Sequence, residues 1–137
     1  MPQTVVVGVD GSEESVHALR WAAEHVRQVG GLLHAITVWH QPVQFGYHLT
    51  STDAELQKQG QEALDGALAR VKPDFPSVDI RSKLIRGQVV DEFVKLSKQA
   101  DLLVVGDKGH GAFTGMLVGS VAMKIVHHSA CPVTVVR

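Results

Sequence analysis

Short runs of β-branched and aliphatic residues alternate along the chain with longer segments whose apolar positions recur at helical spacing. That alternation predicts strand-helix-strand units around a parallel sheet, with five strands and four helices. The first strand is expected at Thr4–Val9. Ser12 follows as the N-cap of a helix carrying Glu13 and Glu14 in its first turn, where carboxylates suit the helix dipole. Val16, Leu19, Ala23 and Val26 form its apolar stripe, and Gly30 with Gly31 ends it. A second strand is expected at Leu32–Trp39. After residues 40–51, which show no clear period, Thr52-Asp53-Ala54-Glu55 has the spacing of a capping box. The helix it opens places Leu56, Ala63, Leu64, Ala67, Leu68 and Val71 on one face and stops at Pro73 and Pro76.

The segment Val78–Ile85 alternates, with Val78, Ile80 and Leu84 set against Asp79, Arg81 and Lys83. The first and second strands, and a fourth at Asp101–Gly106, are nearly continuous apolar runs. In a parallel sheet covered on both faces the central strands read as continuous, so the third strand belongs at an edge. A third helix is predicted over Val89–Gln99 with Val90, Phe93, Val94 and Ser97 on one side. A fourth is predicted over Gly119–His128 with Val121, Ala122, Ile125 and Val126 apolar, and a last strand over Pro132–Val136, where the proline fits the start of an edge strand. These assignments fit a strand order of 3-2-1-4-5. Such a sheet opens a crevice at the carboxyl ends of strands one and four, where ligands bind. Sequence logic delivers Asp10, Gly11 and Ser12 to that crevice from one side, and Gly106 onward from the other.

Composition narrows the class. The 137 residues fit one domain spanning 1–137, with no internal repeat, low-complexity tract or linker. Apolar residues make up 45% and charged residues 20%, which suits a packed globule. Thirteen Lys and Arg against fourteen Asp and Glu give a net charge of −1, so binding to nucleic acid or a membrane surface through bulk charge is not expected. The single cysteine, Cys131, allows no internal disulfide and is read as packing in a reducing compartment. The opening residues have no basic region before the apolar run, and no apolar stretch is long enough to span a bilayer, so a cytoplasmic location is expected. The eight histidines show no paired ligand spacing, and the adjacent His127 and His128 cannot aim at one ion from a helix, so no metal site is expected from them.

The candidate chemistry lies after the fourth strand, where five glycines fall within residues 106–120, directly before a helix. Glycines let main-chain N–H groups approach a polyanion, and the following helix N-terminus adds unpaired donors with positive partial charge. Phosphate is the natural guest. The segment matches neither the P-loop, since no lysine stands between Gly119 and Ser120, nor the dinucleotide fingerprint, which has a different spacing and follows strand one.

The spacing is instead Gly106-x2-Gly109-x9-Gly119-Ser120, and here the chain resembles the universal stress protein family, whose ATP-binding members carry Gly-x2-Gly-x9-Gly-(Ser/Thr) at this place. The resemblance runs the length of the chain. It includes Val7–Ser12, Leu33-His34-Ala35, Ala100–Gly106, the glycine segment and Cys131–Val136. It implies a flavodoxin-like, adenine-nucleotide-alpha-hydrolase-like three-layer α/β sandwich, and a homodimer formed through the last strand. It also implies roles. Asp10, with Gly11 and Ser12, would face the ribose and phosphate side, the Ala35 main chain would read adenine, and Val105 would line the base or sugar pocket. Gly106, Gly109, Gly119, Ser120 and Val121 would surround ribose and phosphates, while His110 in the same segment can either touch phosphate or stand as an exposed loop imidazole with no ligand. The implied ligand is ATP. Many members have serine where this chain has Asp107, a carboxylate that would either repel phosphate or help hold hydrated Mg2+.

Bland readings stand beside these. Asp10 can serve only helix one, and Ser120 can be a plain N-cap. Trp39, Phe45 and Tyr47 can cover a base or simply pin a surface loop. No catalytic pair is visible, so the expected function is a nucleotide-binding regulatory module with at most slow hydrolysis. Two rivals are a hydrolase or self-phosphorylating protein using Ser120 or Thr114, and a dimeric interaction protein without nucleotide.

Overall fold

The computed structural model describes residues 2–40, 52–107 and 119–137. Five parallel strands, β1 (Gln3–Gly8), β2 (Gly31–Trp39), β3 (Asp79–Arg86), β4 (Leu102–Gly106) and β5 (Val133–Val136), form one sheet in the order 3-2-1-4-5. Four helices connect them: α1 (Glu13–Val29), α2 (Asp53–Val71), α3 (Val89–Ser97) and α4 (Ser120–His128).

Side-chain alternation along the strands splits the interior into two cores. Val5, Val7, Leu33, Ala35, Ile80 and Val104 face the layer made by α1 and α2. Their neighbours Val6, Ile36, Leu103 and Val105 face α3 and α4, with Phe93, Ala122 and Ile125 closing that side. Two helices on each face follow from the strand order: right-handed crossovers moving outward from β1 to β3 lie on one face, and those returning through β4 to β5 lie on the other. The central strands β1 and β4 are buried by both layers, which is why they read as unbroken apolar runs.

Local chemistry sets the helix ends. Ser12 caps α1 by accepting a hydrogen bond from the Ser15 N–H, and Gly30, with φ 83°, terminates it. Thr52 and Glu55 form the full capping box of α2, which ends at Val71 as Pro73 turns the chain through a short 3-10 segment, Lys72–Asp74. Two tertiary ion pairs join the helix layer: Arg70 with Glu13 at 2.8 Å and Arg20 with Asp74 at 2.7 Å.

Helix α4 departs from expectation in two ways. Its N-cap is Gly119, not Ser120, because the Met123 N–H bonds the Gly119 carbonyl at 3.0 Å and makes that carbonyl the first acceptor. Ala122 and Ile125 are buried, whereas Val121 and Val126, read as part of the same apolar face, are 45% and 44% exposed. A helix of 9 residues turns only a narrow stripe toward the sheet.

Candidate functional site

The crevice predicted from the strand order lies where β1 and β4 end side by side and their chains diverge. On the β1 side the turn is built by short polar residues. The Asp10 carboxylate accepts hydrogen bonds from the Ser12 N–H at 2.9 Å and the Ser12 hydroxyl at 2.5 Å. The Asp10 N–H in turn donates to the Ser15 hydroxyl oxygen at 3.2 Å. Ser15 closes the circuit, its hydroxyl donating to the Ser12 carbonyl at 2.9 Å while its N–H donates to the Ser12 hydroxyl oxygen at 3.2 Å. Ser12 and Ser15 are buried and Asp10 is exposed. Gly11 sits between them with φ 87°, a left-handed conformation that disfavours a side chain. Asp10 therefore organises the turn and lies, as an exposed residue, at the mouth of the crevice.

Thr37 completes this wall. Its hydroxyl donates to the Val9 carbonyl at 2.8 Å, and the Val9 N–H bonds the Ile36 carbonyl at 2.9 Å, so the exit of β1 is fixed to β2 from both sides of its main chain. Neither Thr37 nor Ser15 is marked out by the sequence. A hydroxyl in an apolar strand, or three residues after a cap, has the same local signature whether it ties a loop or merely faces solvent.

On the β4 side, Gly106 is required by proximity. A Cβ built there would stand 3.0 Å from the main-chain carbonyl group of Glu14, in the first turn of α1. The absent side chain thus lets the two lips of the crevice meet. Asp107, only 7% exposed, follows. Its N–H bonds the Val136 carbonyl at 2.8 Å, and its own carbonyl accepts the Gly119 N–H. The start of the glycine segment and the N-terminus of α4 are therefore joined directly through the main chain, and Gly119 and Ser120 come to the end of β4.

The expected site residues fall into three groups. Asp10, Gly11, Ser12, Gly106, Gly119 and Ser120 occupy the ends of β1 and β4 and the N-terminus of α4. Val121, in the first turn of α4, is largely exposed. Ala35 and Val105 lie within the sheet: Ala35 is fully buried mid-strand, in register with Val7 and Ser82, and Val105 packs into the α3 and α4 core. Gly109 and His110, with Thr114, Phe45 and Tyr47, lie outside the described residues. No group of three or more His, Cys, Asp or Glu residues suited to a metal ion occurs among the described residues. Nor is any described helix long and apolar enough to cross a membrane.

Comparison with known proteins agrees with this architecture. A universal stress protein of Mycolicibacterium smegmatis is 34% identical over 133 residues, covering 97% of this chain and 45% of that protein. One from Mycobacterium tuberculosis is 32% identical over 133 residues, covering 97% and 44%. The chain thus spans about half the length of these curated relatives. Among solved structures, a universal stress protein in complex with cAMP superposes with a TM-score of 0.72 at 28% identity, covering 98% of this chain and 97% of the other. A universal stress protein from Archaeoglobus fulgidus shares the fold with a TM-score of 0.75 at 20% identity, covering 100% and 95%. The profile of the universal stress protein family matches residues 1–137, and with the sheet order and the crevice residues in place the chain belongs to that family.

Proposed function

We propose that this chain is an adenine-nucleotide-binding regulatory module whose preferred ligand is ATP. The observation that carries the reading is the meeting of the two lips of the crevice. The Asp10–Ser12–Ser15 turn and the side-chain-free contact at Gly106 bring the start of α1 against the end of β4, beside the N-terminus of α4. Main-chain N–H groups at a helix N-terminus favour an anion. The spacing Gly106-x2-Gly109-x9-Gly119-Ser120 adds a glycine-rich segment, and glycines let main-chain N–H groups approach a phosphate chain. Support also comes from the relative at 28% identity that is described in complex with cAMP.

In this reading Gly119, Ser120, Gly109 and His110 serve the phosphates. Asp10, Gly11 and Ser12 face the ribose and phosphate side, Gly106 and Val121 lie beside ribose and phosphates, the Ala35 main chain reads adenine, and Val105 lines the base or sugar pocket. Mg2+ accompanies the phosphates without a dedicated protein cage. The chain acts in the cytoplasm as a homodimer through β5, and it passes its ligand state to partners without dedicated catalysis.

Isothermal titration calorimetry of the purified chain with ATP and Mg2+ tests this. Saturable heat is expected, and Gly119→Leu is expected to remove it while the circular dichroism spectrum is preserved. Absence of heat with ATP, AMP and cAMP alike would contradict the reading and favour the nucleotide-free interaction protein.

A further inference from the structure

At the side of the sheet opposite β5, the eight-residue strand β3 forms the longer free edge. Arg86 is in register with Trp39, and the Gly87 N–H bonds the Trp39 carbonyl at 2.9 Å. Alternation along a parallel ladder then turns the main-chain groups of Ile80, Ser82, Leu84 and Arg86 outward. Among the described residues no main-chain bond outside the ladder meets them. Beside this edge, on the α3 face, runs a groove of about 440 Å3, floored by Ile85 and Leu96 and flanked by Lys83, Lys95, Gln99 and one acid, Glu92, whose carboxylate Lys95 holds at 3.2 Å. Leu84 also lines it. The Leu84 side chain points to the opposite face, toward Gly60 of α2, so its contribution is main chain.

The charge on this edge selects an occupant. The strand holds Arg81, Lys83 and Arg86 against a single acid, Asp79. Arg81 pairs with Asp79 at 3.3 Å, Arg86 with Asp53 at 3.2 Å and Lys95 with Glu92 at 3.2 Å, while Lys83 has no ion pair among the described residues. Two copies of β3 laid edge to edge would set these cations against one another, which disfavours self-pairing. Lys83, whose ammonium group is not matched by a carboxylate among the described residues, attracts a strand of opposite charge, and Lys95 beside it adds to that pull. Edge lysines that only prevented aggregation would need no apolar-floored groove beside them.

We infer that the β3 edge and its groove are a docking site for an extended acidic segment of a partner protein. The segment adds to the sheet as a further strand, sets a carboxylate between Lys83 and Lys95, and seats an apolar side chain two residues away on Ile85 and Leu96. Lys83 and Ile85 share one face of β3, so the partner sequence is an acid and a bulky aliphatic residue separated by one position.

Fluorescence anisotropy with the full chain tests this, using a labelled peptide of about ten residues that repeats Glu-Thr-Val-Thr, which sets Glu and Val two positions apart on one face, and a counterpart with Lys in place of every Glu. The acidic peptide is expected to bind saturably, at least about tenfold more tightly than the basic one, and more weakly at high salt. Lys83→Glu is expected to weaken it by about tenfold or more, without altering the melting temperature or the heat of ATP titration. N-methylation of alternate peptide amides is expected to abolish binding in one phase of alternation and spare it in the other, a readout that leaves the protein intact. Equal binding of the two peptides, insensitivity to N-methylation, no binding, or self-association through β3 that Ser82→Pro abolishes would each overturn the proposal.

Discussion

Gly106 at the end of β4 lies so close to Glu14 in the first turn of α1 that a methyl group on its Cα would press on the Glu14 main chain at 3.0 Å. Main chain cannot swing aside as a long side chain can, so the helix must lift or the strand must bend. Gly106→Ala is expected to cost about 1–3 kcal/mol and Gly106→Val more, as for other overpacked sites. Urea denaturation followed by circular dichroism reads this, and an unchanged midpoint would show that the two lips of the crevice are not locked together.

The Asp10 turn separates a geometric role from an electrostatic one. Asp10→Asn keeps an oxygen that can accept from the Ser12 N–H and hydroxyl, so stability is expected to stay close to that of the parent chain. Asp10→Ala removes the acceptor and is expected to lose about 1 kcal/mol, the usual net worth of such bonds. Thermal melts of the two variants side by side check this. Equal losses would mean that charge, not the turn, is what Asp10 contributes to folding.

Much of this architecture was legible in the residues. Uninterrupted apolar runs at β1, β2 and β4 and the alternation of β3 led directly to the order 3-2-1-4-5. The caps at Ser12 and Thr52 stand where the short polar residues predicted them. What escaped depends on longer-range contacts. Helix α3 stops at Ser97, short of Gln99, because Lys98, Gln99 and Ala100 tighten onto Lys95 and Leu96. Leu56 and Ala63 are only half-buried, since the outer strands cover less of α2 than its apolar stripe offers. In the site, Asp10, Ser12 and Gly106 announced themselves by position and residue type. Ser15, Thr37 and the Glu14 main chain did not, because their importance comes from what folds against them.

The helix layer should respond to acid through its ion pairs. The hydrogen-bonded Arg70 guanidinium holds the Glu13 carboxyl below its ordinary value of 4.5, and Arg27, with help from Gln28, holds Glu24 down to about 2. A carboxyl group whose folded value is depressed contributes stability that is present above its unfolded value and lost as pH falls through the folded one. Glu13→Gln is therefore expected to be less stable than the parent above about pH 5, with the difference vanishing at lower pH and shrinking in high salt. A difference that persists or grows in acid would place the pair's worth elsewhere.

The β5 edge offers a clean test of the proposed homodimer. The Leu103 N–H bonds the Pro132 carbonyl at 3.0 Å and the Asp107 N–H bonds that of Val136 at 2.8 Å, so alternation turns the main chain of Val133 and Val135 outward. Val135→Pro deletes one outward N–H and spares the bonds to β4. Sedimentation velocity is expected to show a monomer, at a stability cost within about 1–2 kcal/mol. A dimer that survives would move the interface away from this edge.

Nucleotide binding by this chain requires that the meeting point of β1, β4 and α4 receive a phosphate chain. A 15N–1H correlation NMR titration with ATP and Mg2+ addresses that place residue by residue. The amide signals of Gly11, Ser12, Gly106, Gly119 and Ser120 are expected to move together and to saturate with a single affinity, while those of β3 stay fixed. Saturation with these five signals unmoved, or shifts gathered elsewhere on the molecule, would contradict it.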